Sequence, residues 1–210
     1  MEDERELLEA WRAGDRQAGS RLLALRAREI TWFFRNKVFD EDAVPDLVSQ
    51  TFLRCVSARE RFEGQTSFRR FVYAIAKNVL REYLRSVTKR EREQLDFGQV
   101  CVRDLRPRSL SSLHSEKVRV QALIEALREV PIDDQIVLEL KYFEGLSARE
   151  LGEVLDIPEG TVRGRLSRGL RRLRERVEQQ LAATRGAGGS PSVDDIEAWA
   201  ADLRRLRGDG

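Results

Sequence analysis

The chain has 210 residues, enough for one or two domains with real cores, and its 35% charged content nets only +2, so charge distribution says more than total charge. No apolar run approaches the ~18 residues of a membrane span, and the acidic start MEDERELLEAW is not a secretory signal, so a soluble, cytoplasmic protein is expected. Cys55 and Cys101 stand far apart without a CxxC, and the single histidine, His114, lies in a polar stretch; this pattern argues against a zinc site or a bound cofactor.

Apolar residues recur at helical spacing nearly throughout, which predicts an all-α fold. The first helix is expected over about Asp3 to Ala13, with Leu7, Leu8 and Trp11 on one face, broken by Gly14-Asp15. A long helix follows from about Arg16 to Asn36, with Leu22, Leu23, Leu25, Ile30 and Phe33 as core candidates. Gly19 inside it costs roughly 1 kcal/mol relative to Ala. A third helix begins near Pro45, a residue suited to a first turn, with Leu47, Val48, Thr51, Phe52, Cys55 and Val56 as its buried stripe. Ser67 is a plausible N-cap for a fourth, Phe68 to about Lys89. Glu91 to Ser115 holds Gly98, Pro107 and SLSSLHS without a sustained period, and reads as an interdomain linker. A second helical unit then runs from Glu116 to about Leu181, punctuated by Pro131, Gly145 and Pro158-Glu159-Gly160. TRGAGGSPS (184–192) has the composition of a hinge. A short C-terminal helix should follow, with Ile196, Trp199, Leu203 and Leu206 on one face and an acidic first half.

The stretch from Leu146 to Arg176 has the layout of a helix-turn-helix. Ser147 can cap its first helix, whose Leu151, Val154 and Leu155 turn inward. Ile157-Pro158 closes it, because the residue before proline is pushed out of the helical region. Val162, Leu166, Leu170 and Leu173 form the buried side of the next helix. Between Pro158 and Arg176 seven arginines face two glutamates, net +5, whereas Pro131 to Ile157 is net −5. That split suits a helix inserted in a DNA groove on a scaffold whose acids face water. Thr161, Arg163, Arg165 and Arg168 are placed to meet base edges, and Arg171, Arg172 and Arg174 to meet phosphates. The plainer reading is a solvated basic face on an ordinary helix.

A second constellation is FEGQTSFRRFVYAIAKNVLREYLR, Phe62 to Arg85. From Arg69 to Arg92 eight bases face two acids, net +6, interleaved with aromatics. Cations bind phosphates and aromatic faces stack on unpaired bases, which suits opened, single-stranded DNA. Phe68, Phe71, Val72, Ile75 and Val79 keep helical spacing and are assigned to the core. Arg69, Arg70, Tyr73, Lys77, Asn78 and Arg81 are the surface candidates.

DLVSQTFLRCV, then RFEGQTSFRRFVYAIAKNVLREYLR, then LSARELGEVLDIPEGTVRGRLSRGLRRLR resemble regions 2 and 4 of the extracytoplasmic-function (group IV) sigma factors of bacterial RNA polymerase, over roughly residues 5 to 181. The resemblance implies region 2 over 1–90, a linker over 91–115, region 4 over 116–183 and an extension over 184–210. It implies that Asp46, Ser49, Gln50, Phe52 and Leu53 contact core polymerase. Phe62, Gln65, Ser67, Arg69, Arg70, Tyr73, Lys77, Asn78 and Arg81 would act at the −10 element. Thr161, Arg163, Arg165, Arg168, Arg171 and Arg172 would act at the −35. Core RNA polymerase, promoter DNA and an anti-sigma factor are the implied partners.

The chain departs from the family pattern in places. Ser49-Gln50 stands where Gln-Glu is usual, Phe71 where Trp is common, Gln135 where Arg is common, and Gly164 where a small polar residue is usual. The alternative is a stand-alone helix-turn-helix regulator, against which the basic, aromatic 62–85 segment weighs. No phosphate-cradling glycine loop, metal cluster or nucleophile–base pair suggests an enzyme.

Overall fold

Eight α-helices and one 3-10 turn account for most of the residues that the computed structural model describes: 4–38, 40–59, 62, 67–87, 96–102, 118–184, 198 and 201, with backbone alone for 118–122 and 180–184. The helices are α1 (Glu4–Arg12), α2 (Arg16–Arg35), α3 (Val44–Ser57), α4 (Phe68–Val87), α5 (Val118–Arg128), α6 (Ile132–Tyr142), α7 (Ala148–Leu155) and α8 (Glu159–Thr184). They form two compact units, Met1–Glu91 and Arg92–Gly210.

In the first unit the turn between α1 and α2 follows directly from Gly14-Asp15. Gly14 takes φ +106°, open to glycine, and the Asp15 carboxylate accepts from Gln17 N at 2.8 Å and Ala18 N at 3.2 Å, capping α2. Gly19 owes its place to close packing: a Cβ there would collide with the indole of Trp11, which is buried against it. α2 packs on α1, α3 and α4, and α3 packs on α4. Trp11 meets Phe68 edge-on at 5.5 Å and Phe33 meets Tyr73 at 5.7 Å, within a core that also holds Leu22, Ile30, Phe34, Leu47, Val72, Leu80 and Leu84. Lys37 is also fully buried: its ammonium donates to Phe33 O at 2.9 Å and lies 4.2 Å from the Phe33 ring centre. Two expected core residues point outward instead. Leu25 and Val56 are exposed because their helices turn only a narrow stripe toward the neighbours.

In the second unit α8 is the hub, packing on α5, α6 and α7. Residues 96–102, within the stretch that reads as a linker, fold onto this unit. Ile132 N donates to Val100 O and Asp133 N to Phe97 O, both at 2.9 Å. Those are amides at the start of α6, which have no partners within their own helix. Phe97 and Val102 are buried, which accounts for the remaining attraction. The rest of 91–115 lies outside the described residues, as does the expected C-terminal helix apart from Ala198 and Ala201, both helical.

Candidate nucleic-acid interface

The helix-turn-helix is assembled from local signals. Ser147 Oγ accepts from Glu150 N at 3.3 Å while Ser147 N donates to the Glu150 carboxylate at 2.7 Å, a closed capping box at the head of α7. At its far end Asp156 takes the left-handed conformation, φ 55°, which aspartate tolerates better than most side chains. Gly152 is required one turn earlier, since a Cβ would sit 2.9 Å from Ile157 O. Pro158 O then accepts from Thr161 N and Val162 N at 2.9 and 3.1 Å, starting α8 after a turn of three residues.

α8 is seated by Val162, Leu173 and Val177, all buried, while Leu166 and Leu170, expected to be buried, are half-exposed. Gly169 lies where α8 passes closest to α6. A Cβ there would be 3.2 Å from both Asp134 Cβ and Leu138 Cδ1. Around this crossing the arginines separate into two sets. Arg165 pairs with Asp133 at 2.9 Å, Arg172 with Asp134 at 3.1 Å and Arg176 with Glu129 at 3.4 Å. Thr161, Arg163, Ser167, Arg168 and Arg171 are exposed, and Arg163 reaches Glu159 on its own helix at 2.5 Å.

This corrects two expectations. Arg165 is not an outward residue, and the acidic half of the unit does not simply face water. Asp133, Asp134, Glu139 and Glu144 are buried. The physical reason is counter-charge: a helix with seven arginines cannot pack against α6 unless carboxylates meet the ones that face inward. Burial raises the Asp134 carboxyl above its ordinary range, against the pull of Arg168, Arg172 and Arg165.

In the first unit Ser67 caps α4 loosely, its hydroxyl 3.4 Å from Arg70 N. Asn78 is exposed on α4, and Arg69, Arg70 and Arg81 are partly exposed. Arg69 reaches Glu29 of α2 at 3.4 Å, and Glu29 also binds Arg26 at 2.9 Å, which in turn pairs with Glu4. Three candidates are not at the surface. Tyr73 is 2% exposed, Lys77 8% and Phe62 5%; the Phe62 ring lies 4.8 Å from that of Phe71. The α4 positions of Tyr73 and Lys77 coincide with the Phe68–Val72–Val79 stripe more closely than the aromatic–basic interleaving suggests. Gln65 lies outside the described residues. On α3, Asp46, Ser49, Gln50 and Leu53 share an exposed face, with Leu53 68% exposed and Phe52 half-buried. Beside that face Arg54 grips Glu82 of α4 through two hydrogen bonds, 2.8 and 2.6 Å, which pull the Glu82 carboxyl below its usual range.

Comparison with known proteins matches residues 23–90 to Sigma-70 region 2 and residues 120–173 to Sigma-70, region 4. The chain belongs to the sigma-70 family, in its extracytoplasmic-function group. The ECF RNA polymerase sigma-E factor of Haemophilus influenzae is 28% identical over 184 residues, covering 83% of this chain and 93% of that protein. The ECF RNA polymerase sigma-E factor of Escherichia coli K12 is 27% identical over 181 residues, covering 82% and 93%. Among solved structures, CnrH in complex with the cytosolic domain of CnrY has a TM-score of 0.59 at 20% identity, covering 87% of this chain and 99% of that one. RpoE in complex with the anti-sigma factor NepR from Bartonella quintana has a TM-score of 0.55 at 20% identity, covering 76% and 96%. These two likenesses concern the fold.

In region 4 terms, α7 and α8 are the helix-turn-helix, and the exposed stripe of α8 includes Ser167, which the sequence reading omits. Its spacing reveals it: Ser167 stands one turn from both Arg163 and Arg171. In region 2 terms, the exposed face of α3 and the partly exposed cations of α4 lie on different helices of one unit. Among the described residues no group of His, Cys, Asp and Glu side chains is arranged to hold a metal ion, and no helix is long and apolar enough to cross a membrane.

Proposed function

We infer that this chain is a sigma factor: it binds core RNA polymerase, recognises promoter DNA and directs −10 melting and transcription initiation. One observation carries the reading. Region 2 and region 4 occur in order on one chain, each on its own compact helical unit. A stand-alone helix-turn-helix regulator needs only the second of these. The chain acts by binding and carries no chemistry of its own, in the cytoplasm where the polymerase works. An anti-sigma factor is a further candidate partner.

The residue roles are proposals. Region 2 is taken as 1–90 and region 4 as 116–183. The exposed face of α3, with Asp46, Ser49, Gln50 and Leu53, is assigned to core polymerase, and its large exposed leucine supports a docking role. Ser67, Arg69, Arg70, Asn78 and Arg81 are assigned to the −10 strand, while Phe62, Tyr73 and Lys77 support that surface from within. Thr161, Arg163, Arg168 and Arg171 are assigned to the −35 duplex.

Transcription in vitro with core polymerase on a promoter library tests the reading directly. Specific start sites should appear only when the chain is added; polymerase-independent binding with no initiation would favour the stand-alone regulator. Permanganate footprinting then tests the −10 assignment. Asn78→Ala should impair opening on a duplex promoter more than on a pre-melted one, and equal defects would reduce Asn78 to a phosphate contact.

A further inference from the structure

The arginines of α8 take two kinds of partner. Arg163 pairs with Glu159 one turn away, and both side chains are well exposed. Such a pair is screened and weak, so a phosphate can replace the carboxylate readily. Arg165 and Arg172 pair instead with Asp133 and Asp134, whose side chains are 8% and 3% exposed, on a different helix. Neither carboxylate can follow its arginine outward, because both belong to α6 at the point where Gly169 brings α8 against it. Moving either arginine to DNA would take a close counter-charge from a buried carboxylate, a costlier exchange than a solvated phosphate contact returns. Arg176 reaches Glu129 at 3.4 Å but stays exposed, so it is not held in the same way.

We propose that Asp133 and Asp134 form a positioning seam that holds Arg165 and Arg172 off the DNA and fixes the roll of α8, leaving recognition to Thr161, Arg163, Ser167, Arg168 and Arg171. The inference rests on the assignment of α8 to the −35 duplex and deepens it. The seam has two consequences. It removes cations that would otherwise bind any phosphate backbone, which lowers sequence-independent affinity. It also presents one face of α8 to the groove, because rotating the helix would break the seam.

The test uses the holoenzyme, formed from the full chain and core polymerase, on promoter duplexes with matched and scrambled −35 elements at several salt concentrations. Each phosphate contact contributes about 0.9 to the slope of log K against log salt. Asp133→Asn should release Arg165, steepen that slope by about 0.9 and reduce the preference for the matched −35. Arg165→Gln should leave the slope unchanged, whereas Arg171→Gln should flatten it. A flattened slope for Arg165→Gln, or an unchanged slope for a folded Asp133→Asn, overturns the seam. If Asp133→Asn loses helix content, the double variant Asp133→Asn/Arg165→Gln decides. A wild-type slope supports the proposal and a flattened one defeats it. Failure of the wild-type holoenzyme to prefer any −35 sequence would instead remove the underlying functional reading.

Discussion

α4 and α8 are both long, strongly basic helices, yet they use their charge differently. α4 gives Phe68, Tyr73 and even Lys77 to the core, so its exposed polar and cationic surface is reduced to a few side chains such as Asn78 and Arg81. α8 keeps an apolar seat of few residues and divides its cations between buried carboxylates and solvent. The net charge of a helix therefore overstates the cations it can offer to DNA. The Glu4–Arg26–Glu29–Arg69 chain in the first unit makes the same point on a smaller scale.

The sharpest way to break this contrast is to truncate Tyr73. If its ring is core rather than strand contact, Tyr73→Ala should cost about 3–5 kcal/mol, like other buried aromatic truncations. Urea denaturation of the full chain should show the region 2 transition moving to lower denaturant. An opening defect without that loss of stability would return Tyr73 to the surface.

The glycines offer the next test. By composition Gly19 and Gly164 carry the same helix penalty, but their surroundings differ. Gly19→Ala drives a Cβ into Trp11, a rigid buried ring, and should destabilise the first unit by about 1–3 kcal/mol. Gly164→Ala meets only the flexible end of Arg168 and should stabilise α8 by up to about 1 kcal/mol. Thermal melts of the two variants should shift in opposite directions; a shared sign would mean propensity outweighs packing at both sites.

The smallest effect concerns the Arg54–Glu82 pair. Its groups are largely exposed, so Glu82→Gln should cost only about 0.3–1 kcal/mol near neutral pH. The Glu82 pKa is lowered in the fold, chiefly by the Arg54 hydrogen bond. Its stabilisation is therefore present above the ordinary carboxylate value of 4.5 and is lost as pH falls through the lowered folded value. Wild-type and variant melts should converge in acid. A difference that persists there would show that Gln disturbs packing rather than charge.

Much of this architecture was legible in the residues. Gly14-Asp15, Pro45, Ser67, Pro131 and Ser147 punctuate the helices because capping and proline act within a few residues. The helix-turn-helix was legible for the same reason. Burial on α4 was harder to read: Tyr73 and Lys77 sit at the edge of an apolar stripe whose width depends on how α2 and α3 close over it. The pairing of Arg165 with Asp133 joins residues 32 positions apart. No local pattern chooses among seven arginines and seven acids, and only the close crossing at Gly169 settles which meet. The fold-back of 96–102 was hidden because its bonds satisfy amides of a helix still to come, while the segment itself has no period.

Each unit also carries one thiol. Cys55 is fully buried in the first unit, where desolvation pushes its pKa up to about 12, so it scarcely forms the thiolate that reacts with alkylating reagents. Cys101 is partly buried in the second and donates to Glu129 O at 3.0 Å. Cys55 is thus a built-in chemical clock. Its labelling rate, resolved by mass, times how often the first unit opens, with the partly exposed Cys101 as a reference in the same chain.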